Sequence, residues 1–112
     1  MKKYLAEMIG TMVLVLMGCG TAVSLSCGVD AASVVGTALA FGLAVVAMAY
    51  TIGGISGCHI NPAITLGVWL SKRMSGSEAL MYMLFQVIGA FIGAVLAAGV
   101  WKMLACNCSC KK

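Results

Sequence analysis

Gly53-Gly54-Ile55-Ser56-Gly57-Cys58-His59-Ile60-Asn61-Pro62 holds three glycines together with the only proline and the only histidine of the chain. Glycine and proline at that density read as irregular backbone. The stretch lies inside an uncharged run from Ala31 to Ser71, too long for one membrane span of about 20 residues and too short for two spans with a polar connection. The segment after Pro62, from Ala63 to Leu70, is apolar and about 8 residues long, roughly 12 Å as a helix, which is under half of the hydrocarbon thickness. The pattern predicts a re-entrant half-helix. Irregular backbone at that depth is tolerated only where protein buries it or water reaches it, so the loop is expected to line a cavity.

Composition sets the same frame. The 112 residues are 62% hydrophobic and 9% charged, with a mean hydropathy of +1.09, against roughly 25% charge in soluble domains. Further uncharged runs extend from Met8 to Val29 and from Ala79 to Trp101, which permits three spans and excludes six. The first run is too long for a signal h-region and no polar domain follows it, so it is expected to stay as a span. Helix 1 is predicted over about 4–25, helix 2 over 32–52, the re-entrant loop and half-helix over 53–70, and helix 3 over 77–101. Together they make one repeat over 1–103, followed by a Cys/Lys-rich tail over 104–112. The fold class is an all-α membrane protein with three transmembrane helices plus one re-entrant half-helix. Ser75 and Glu78 are spaced as a capping box at the start of helix 3, and Gly89 and Gly93 on that helix predict a closely packed face.

Asn61 followed by Pro62 is favoured helix-start chemistry, Asn as N-cap and Pro at the first helical position. If the Asn61 carbonyl oxygen caps Ala63 or Ile64, the amide nitrogen remains as a donor, beside the positive end of the half-helix dipole, which repels cations. The extended residues Gly57, Cys58 and His59 cannot use their carbonyl groups in a helix and would form a ladder of acceptors. Donors and acceptors along one path are what a polar neutral molecule needs to exchange its hydration bonds one at a time.

The string Ser56-Gly57-Cys58-His59-Ile60-Asn61-Pro62-Ala63-Ile64-Thr65 resembles the first Asn-Pro-Ala loop of the aquaporin, or major intrinsic protein, family. Ala6-Glu7 with Gly10-Thr11, Leu39-Ala40-Phe41-Gly42-Leu43, and Gln86 with Gly89 are also similar to bacterial water channels of that family, and the likeness runs from about Lys3 to Val100. The resemblance implies a pore built from two inverted repeats, usually assembled as tetramers, of which this chain holds one. It implies Asn61, Pro62 and Ala63 at the lumen, Gly57, Cys58 and His59 as the carbonyl ladder with the Cys58 thiol facing the passage, Phe41 as a filter aromatic of the water-selective kind, and Glu7 and Gln86 bracing the loop. The filter arginine and histidine and the second Asn-Pro-Ala belong, by the same resemblance, to the half not present here.

The expected function is passive water passage across the cell membrane, completed by a second repeat, a partner chain or a homo-oligomer. Passage of glycerol or another small neutral solute is the alternative, as is a non-conducting fragment or interaction partner of a full-length channel. No enzyme is expected, because there is no nucleophile–base pair, phosphate loop or pair of carboxylates. No cofactor or metal site is expected, since His59 has no carboxylate or second histidine to work with. Nucleic acid is set aside for want of a basic face. Cys106, Cys108 and Cys110 in the tail could bind a soft metal or carry acyl chains, or could be sequence added by a truncation or frame change, and no function is assigned to them. The resemblance implies an N-terminus and a half-helix loop in the cytoplasm, and Lys2, Lys3, Lys72 and Arg73 agree with that placement. Lys102, Lys111 and Lys112 on the other side leave that bias weak, so both orientations are expected to occur.

Overall fold

The computed structural model describes residues 1–105, so the expectations for the tail cysteines fall outside the described residues. Four helices follow one another: α1 (Lys2–Ser24), α2 (Ala31–Ser56), α3 (Pro62–Leu70) and α4 (Gly76–Ala105). Three of them, α1, α2 and α4, are long and apolar enough to cross a membrane, and α3, at nine residues, rises only about 14 Å. The chain is an all-α, multi-pass membrane protein with one half-helix. Three threonines on the spans are satisfied within their own helices: Thr11, Thr21 and Thr51 donate to the carbonyls of Glu7, Met17 and Ala47 at 2.7–2.8 Å. Such back-bonding removes the cost of a free hydroxyl in hydrocarbon.

The element boundaries depart from the sequence expectation in two places. Irregular backbone begins at Gly57 rather than Gly53, because Gly53 and Gly54 continue α2 and the Gly53 carbonyl accepts the N–H of Gly57 at 3.0 Å. Gly57 itself ends the helix in the left-handed region at φ 86°, a conformation that costs other residues a Cβ clash. The last helix runs through Ala105, past the end expected at about 101. Its 30 residues rise about 45 Å, more than the hydrocarbon core, so it tilts or projects from the bilayer. Half of the expected capping box forms. Ser75 Oγ accepts from the Glu78 N–H at 3.3 Å, but the Glu78 carboxylate turns to Lys3 of α1 instead of back to its own cap.

Helix α1 is the centre of the bundle, packed on α2 and on α4, while α3 packs on α4 alone. The α1–α4 contact is parallel in direction. The Lys3–Glu78 pair closes its first turn, and a Cβ placed on Gly89 or Gly93 would strike the carbonyl oxygens of Met8 and Met12. Only glycine lets the two backbones approach that closely, the behaviour expected of small residues four apart. The buried apolar cluster is small, Ala6 with Ile52 and Ile60, flanked by Leu14, Met48 and Cys58. It sits where α1, the end of α2 and the loop before α3 meet, and thereby fixes that loop.

Candidate functional site

The loop from Gly57 to Asn61 is held by its N–H groups. The Gly57 N–H is taken by the end of α2, and the Cys58 N–H goes to Ser56 Oγ at 3.2 Å. The His59 N–H donates to Glu7 Oε1 at 2.9 Å and the Ile60 N–H to Glu7 Oε2 at 2.6 Å. Among the described residues no group donates to the carbonyl oxygens of Gly57, Cys58, His59 or Ile60. From Gly57 to Ile60 the segment is therefore one-sided, its donors satisfied by protein and its acceptors left over.

Glu7 makes this possible. It is wholly buried on α1 and receives four donors: the two loop N–H groups, Ser56 Oγ at 2.6 Å and Gln86 Nε2 at 2.8 Å. A carboxylate has about four acceptor positions, so the set is complete, and completeness is what permits a buried acidic group. Gln86 braces the loop indirectly. Its Nε2 bonds Glu7 and Thr65 Oγ1, the latter at 2.9 Å, rather than loop backbone, and its Oε1 is buried with no partner among the described residues. Thr65 Oγ1 also lies 3.2 Å from His59 Nδ1, so α3 and the loop are tied to α4 and to each other.

Asn61 caps α3, its Oδ1 accepting the Ala63 N–H at 2.8 Å while Pro62 occupies the first turn. Asn61, Pro62 and Ala63 are exposed, and Asn61 Nδ2 donates to no described residue. Thr65 is the one buried residue of the half-helix. Cys58 and Ile60 hold positive φ values of 52° and 42°. These turns direct the Cys58 side chain against the Ala6, Ile52 and Ile60 cluster, leaving it half-buried. Phe41 is not brought into this constellation. It packs over Gly18 of α1, and the stretch of α2 between it and Ser56 corresponds to about 22 Å of helix rise.

Ser56, Thr65 and Tyr82 hold the loop although sequence reasoning gave them no such role. Tyr82 Oη donates to the Ser56 carbonyl at 2.9 Å. The signal available was spacing: Thr65 is four residues beyond Asn61, and Tyr82 four before Gln86, which puts each pair on one helical face.

The major intrinsic protein family matches residues 1–111. Aquaporin Z of Bradyrhizobium diazoefficiens is 50% identical over 98 residues, 86% of this chain and 40% of the relative. Aquaporin Z of Photorhabdus laumondii subsp. laumondii is 42% identical over 106 residues, 94% of this chain and 44% of the relative. The glycerol uptake facilitator protein-like 6 of Lactiplantibacillus plantarum is 42% identical over 94 residues, covering 84% and 41%. The chain thus spans about two-fifths of the length of the curated relatives it matches.

Proposed function

Because the chain belongs to the major intrinsic protein family, we propose that it forms half of a passive channel for water, the passage being lined by the loop before α3. The observation that carries this reading is the one-sided loop, with four consecutive carbonyls that accept from no described residue, beside an Asn61 amide whose Oδ1 caps α3 and whose Nδ2 donates to no described residue. Free carbonyls facing hydrocarbon would cost several kcal/mol each, whereas a file of water molecules satisfies them and is passed from one to the next. Asn61 Nδ2 supplies a donor in the same file, and the N-terminal end of α3 disfavours cations there. Gly57, Cys58 and His59 act through their carbonyls, Pro62 and Ala63 shape the turn, and Glu7 and Gln86 keep the loop aimed. Phe41 lines the passage at a separate level along α2.

The other wall comes from a second repeat, supplied by a partner or by another copy of the chain inserted the opposite way, and the half-channel itself sits in the cell membrane with its N-terminus in the cytoplasm. A glycerol-passing channel is the second reading, favoured by the similarity to a glycerol uptake facilitator-like protein.

Osmotic shrinkage of liposomes holding the purified chain tests the proposal against empty vesicles and against Asn61→Ala. Wild-type vesicles shrink faster than bare lipid and the variant loses most of the difference. Truncating the cap costs only about 1 kcal/mol of stability, so the folded helix content stays near wild type. Vesicles no leakier than bare lipid overturn the channel reading, and shrinkage driven equally by sucrose and glycerol gradients rules out the glycerol reading.

A further inference from the structure

Tyr82 is buried on α4 and makes three contacts, two with the α2 end and the loop and one with α1. Its hydroxyl donates to the Ser56 carbonyl at 2.9 Å. Its ring lies against the His59 imidazole, centroids 5.1 Å apart and planes at 50°. The same ring receives Tyr4 of α1 edge-on at 5.8 Å and 88°, the favoured geometry for an aromatic pair. Ser56 is the last residue of α2, and its carbonyl is one of the groups a helix leaves unpaired at its C-terminal end. Without the Tyr82 hydroxyl, that oxygen would join those of Gly57, Cys58, His59 and Ile60.

We propose that Tyr82 is a positioning residue of the passage: by taking up the Ser56 carbonyl and seating the His59 ring, it sets where the row of free carbonyls begins and how the first of them are aimed. The proposal rests on the channel reading for its functional consequence but not for its structural content. A hydroxyl held at hydrogen-bond distance from one end of a segment, with a ring on the residue three positions along, fixes both ends of the Gly57–Cys58 pair. Glu7 holds the N–H groups of His59 and Ile60 farther along the loop, while Tyr82 holds the carbonyl at its α2 end. Phenylalanine at this position keeps the ring contacts with His59 and Tyr4 and removes the carbonyl bond alone.

The test uses the full chain in liposomes and two readouts. Serine labelled at the carbonyl carbon with glycine labelled at nitrogen gives two Ser–Gly correlations in solid-state NMR, Ser56–Gly57 and Ser75–Gly76, and the second is an internal control. Tyr82→Phe moves the Ser56–Gly57 peak and leaves Ser75–Gly76 in place. In shrinkage assays it lowers water permeability per folded molecule roughly two- to tenfold, the range of one hydrogen bond, and it changes the ratio of water to glycerol permeability. Loss of folded protein would lower both permeabilities by one factor, so an unchanged ratio overturns the positioning role. An unmoved Ser56–Gly57 peak overturns the carbonyl bond itself. If wild-type chain fails to conduct, the channel reading falls, and the NMR arm alone decides whether Tyr82 holds the loop.

Discussion

Glu7 decides whether the loop can exist at this depth. Its four donors fill both oxygens, so any change that turns an oxygen into a donor sets like against like. Glu7→Gln preserves shape and removes one acceptor, leaving two of the donors facing an NH2 group. Each buried donor left without a partner costs about 1–3 kcal/mol, so the variant is expected to lose about 2–6 kcal/mol in equilibrium unfolding from mixed detergent micelles. Glu7→Asp keeps the charge but shortens the reach, so it should lose the loop while sparing the helices: amide exchange at His59 and Ile60 rises while that of α1 is unchanged. Stability within 0.5 kcal/mol of wild type for Glu7→Gln, a margin typical of indifferent surface changes, would contradict the assignment of those bonds.

At the scale of the element, the α1–α4 contact and the start of α2 make separate demands. Gly93 lies against the Met12 carbonyl, whereas Gly99 on the same helix faces open space. Gly93→Leu must push the helices apart, an overpacking that costs about 1–3 kcal/mol or more. Gly99→Ala should instead gain about 0.5–1 kcal/mol from helix propensity. The pair of variants, compared by unfolding in the same micelles, separates a packing glycine from an idle one. Helix α2 begins on Asp30, whose carboxylate accepts from the Ser33 hydroxyl at 2.6 Å and the Ser33 N–H at 3.0 Å. Those bonds hold the Asp30 carboxyl below the ordinary aspartate range. A lowered folded value means the cap contributes fully above the unfolded value of about 3.9 and fades as pH falls through the folded one. Protection of the Ser33 amide, its exchange rate relative to the intrinsic rate at the same pH, should therefore fall in strong acid, and Asp30→Asn, which keeps the cap without the titration, should flatten that dependence.

These elements also mark how far sequence alone could go. The uncharged runs and the Asn61-Pro62 start gave three spans and a half-helix, because hydrocarbon thickness and cap chemistry are local constraints. Gly53 and Gly54 misled, since glycine lowers helix propensity without forbidding a helix, and burial of Ile52 with continuation to Ser56 wins over that preference. The use of Glu78 for Lys3 rather than for its own cap, and the convergence of Ser56, Thr65 and Tyr82 on the loop, depend on how α1, α2 and α4 meet. No spacing within one helix records that meeting. The seating of Phe41 over Gly18 is likewise a matter of the helix pair and not of the residue.

For the whole molecule, charge placement and mass action test whether a second copy supplies the other wall of the proposed passage. Lys2, Lys3, Lys72 and Arg73 lie at one end of the spans, Lys102 at the other, with Lys111 and Lys112 beyond it in sequence. Four basic residues against three is a slight bias under the positive-inside rule, so both orientations are expected in one membrane. Reporters fused to either terminus should then each give signal on both faces, and Lys72→Gln with Arg73→Gln should tilt the balance toward the inverted form. If two opposed copies make one passage, permeability rises as the square of protein density at low loading, because pairing is bimolecular, and is greatest near equal populations of the two forms. The Lys72/Arg73 variant, at two against three, carries an opposite bias of the same size and conducts about as well, whereas Lys102→Gln with Lys111→Gln and Lys112→Gln, at four against none, becomes uniform in orientation and conducts less at the same density. Strictly linear dependence on density with a single orientation would remove self-pairing and leave a different partner to supply the second half-helix.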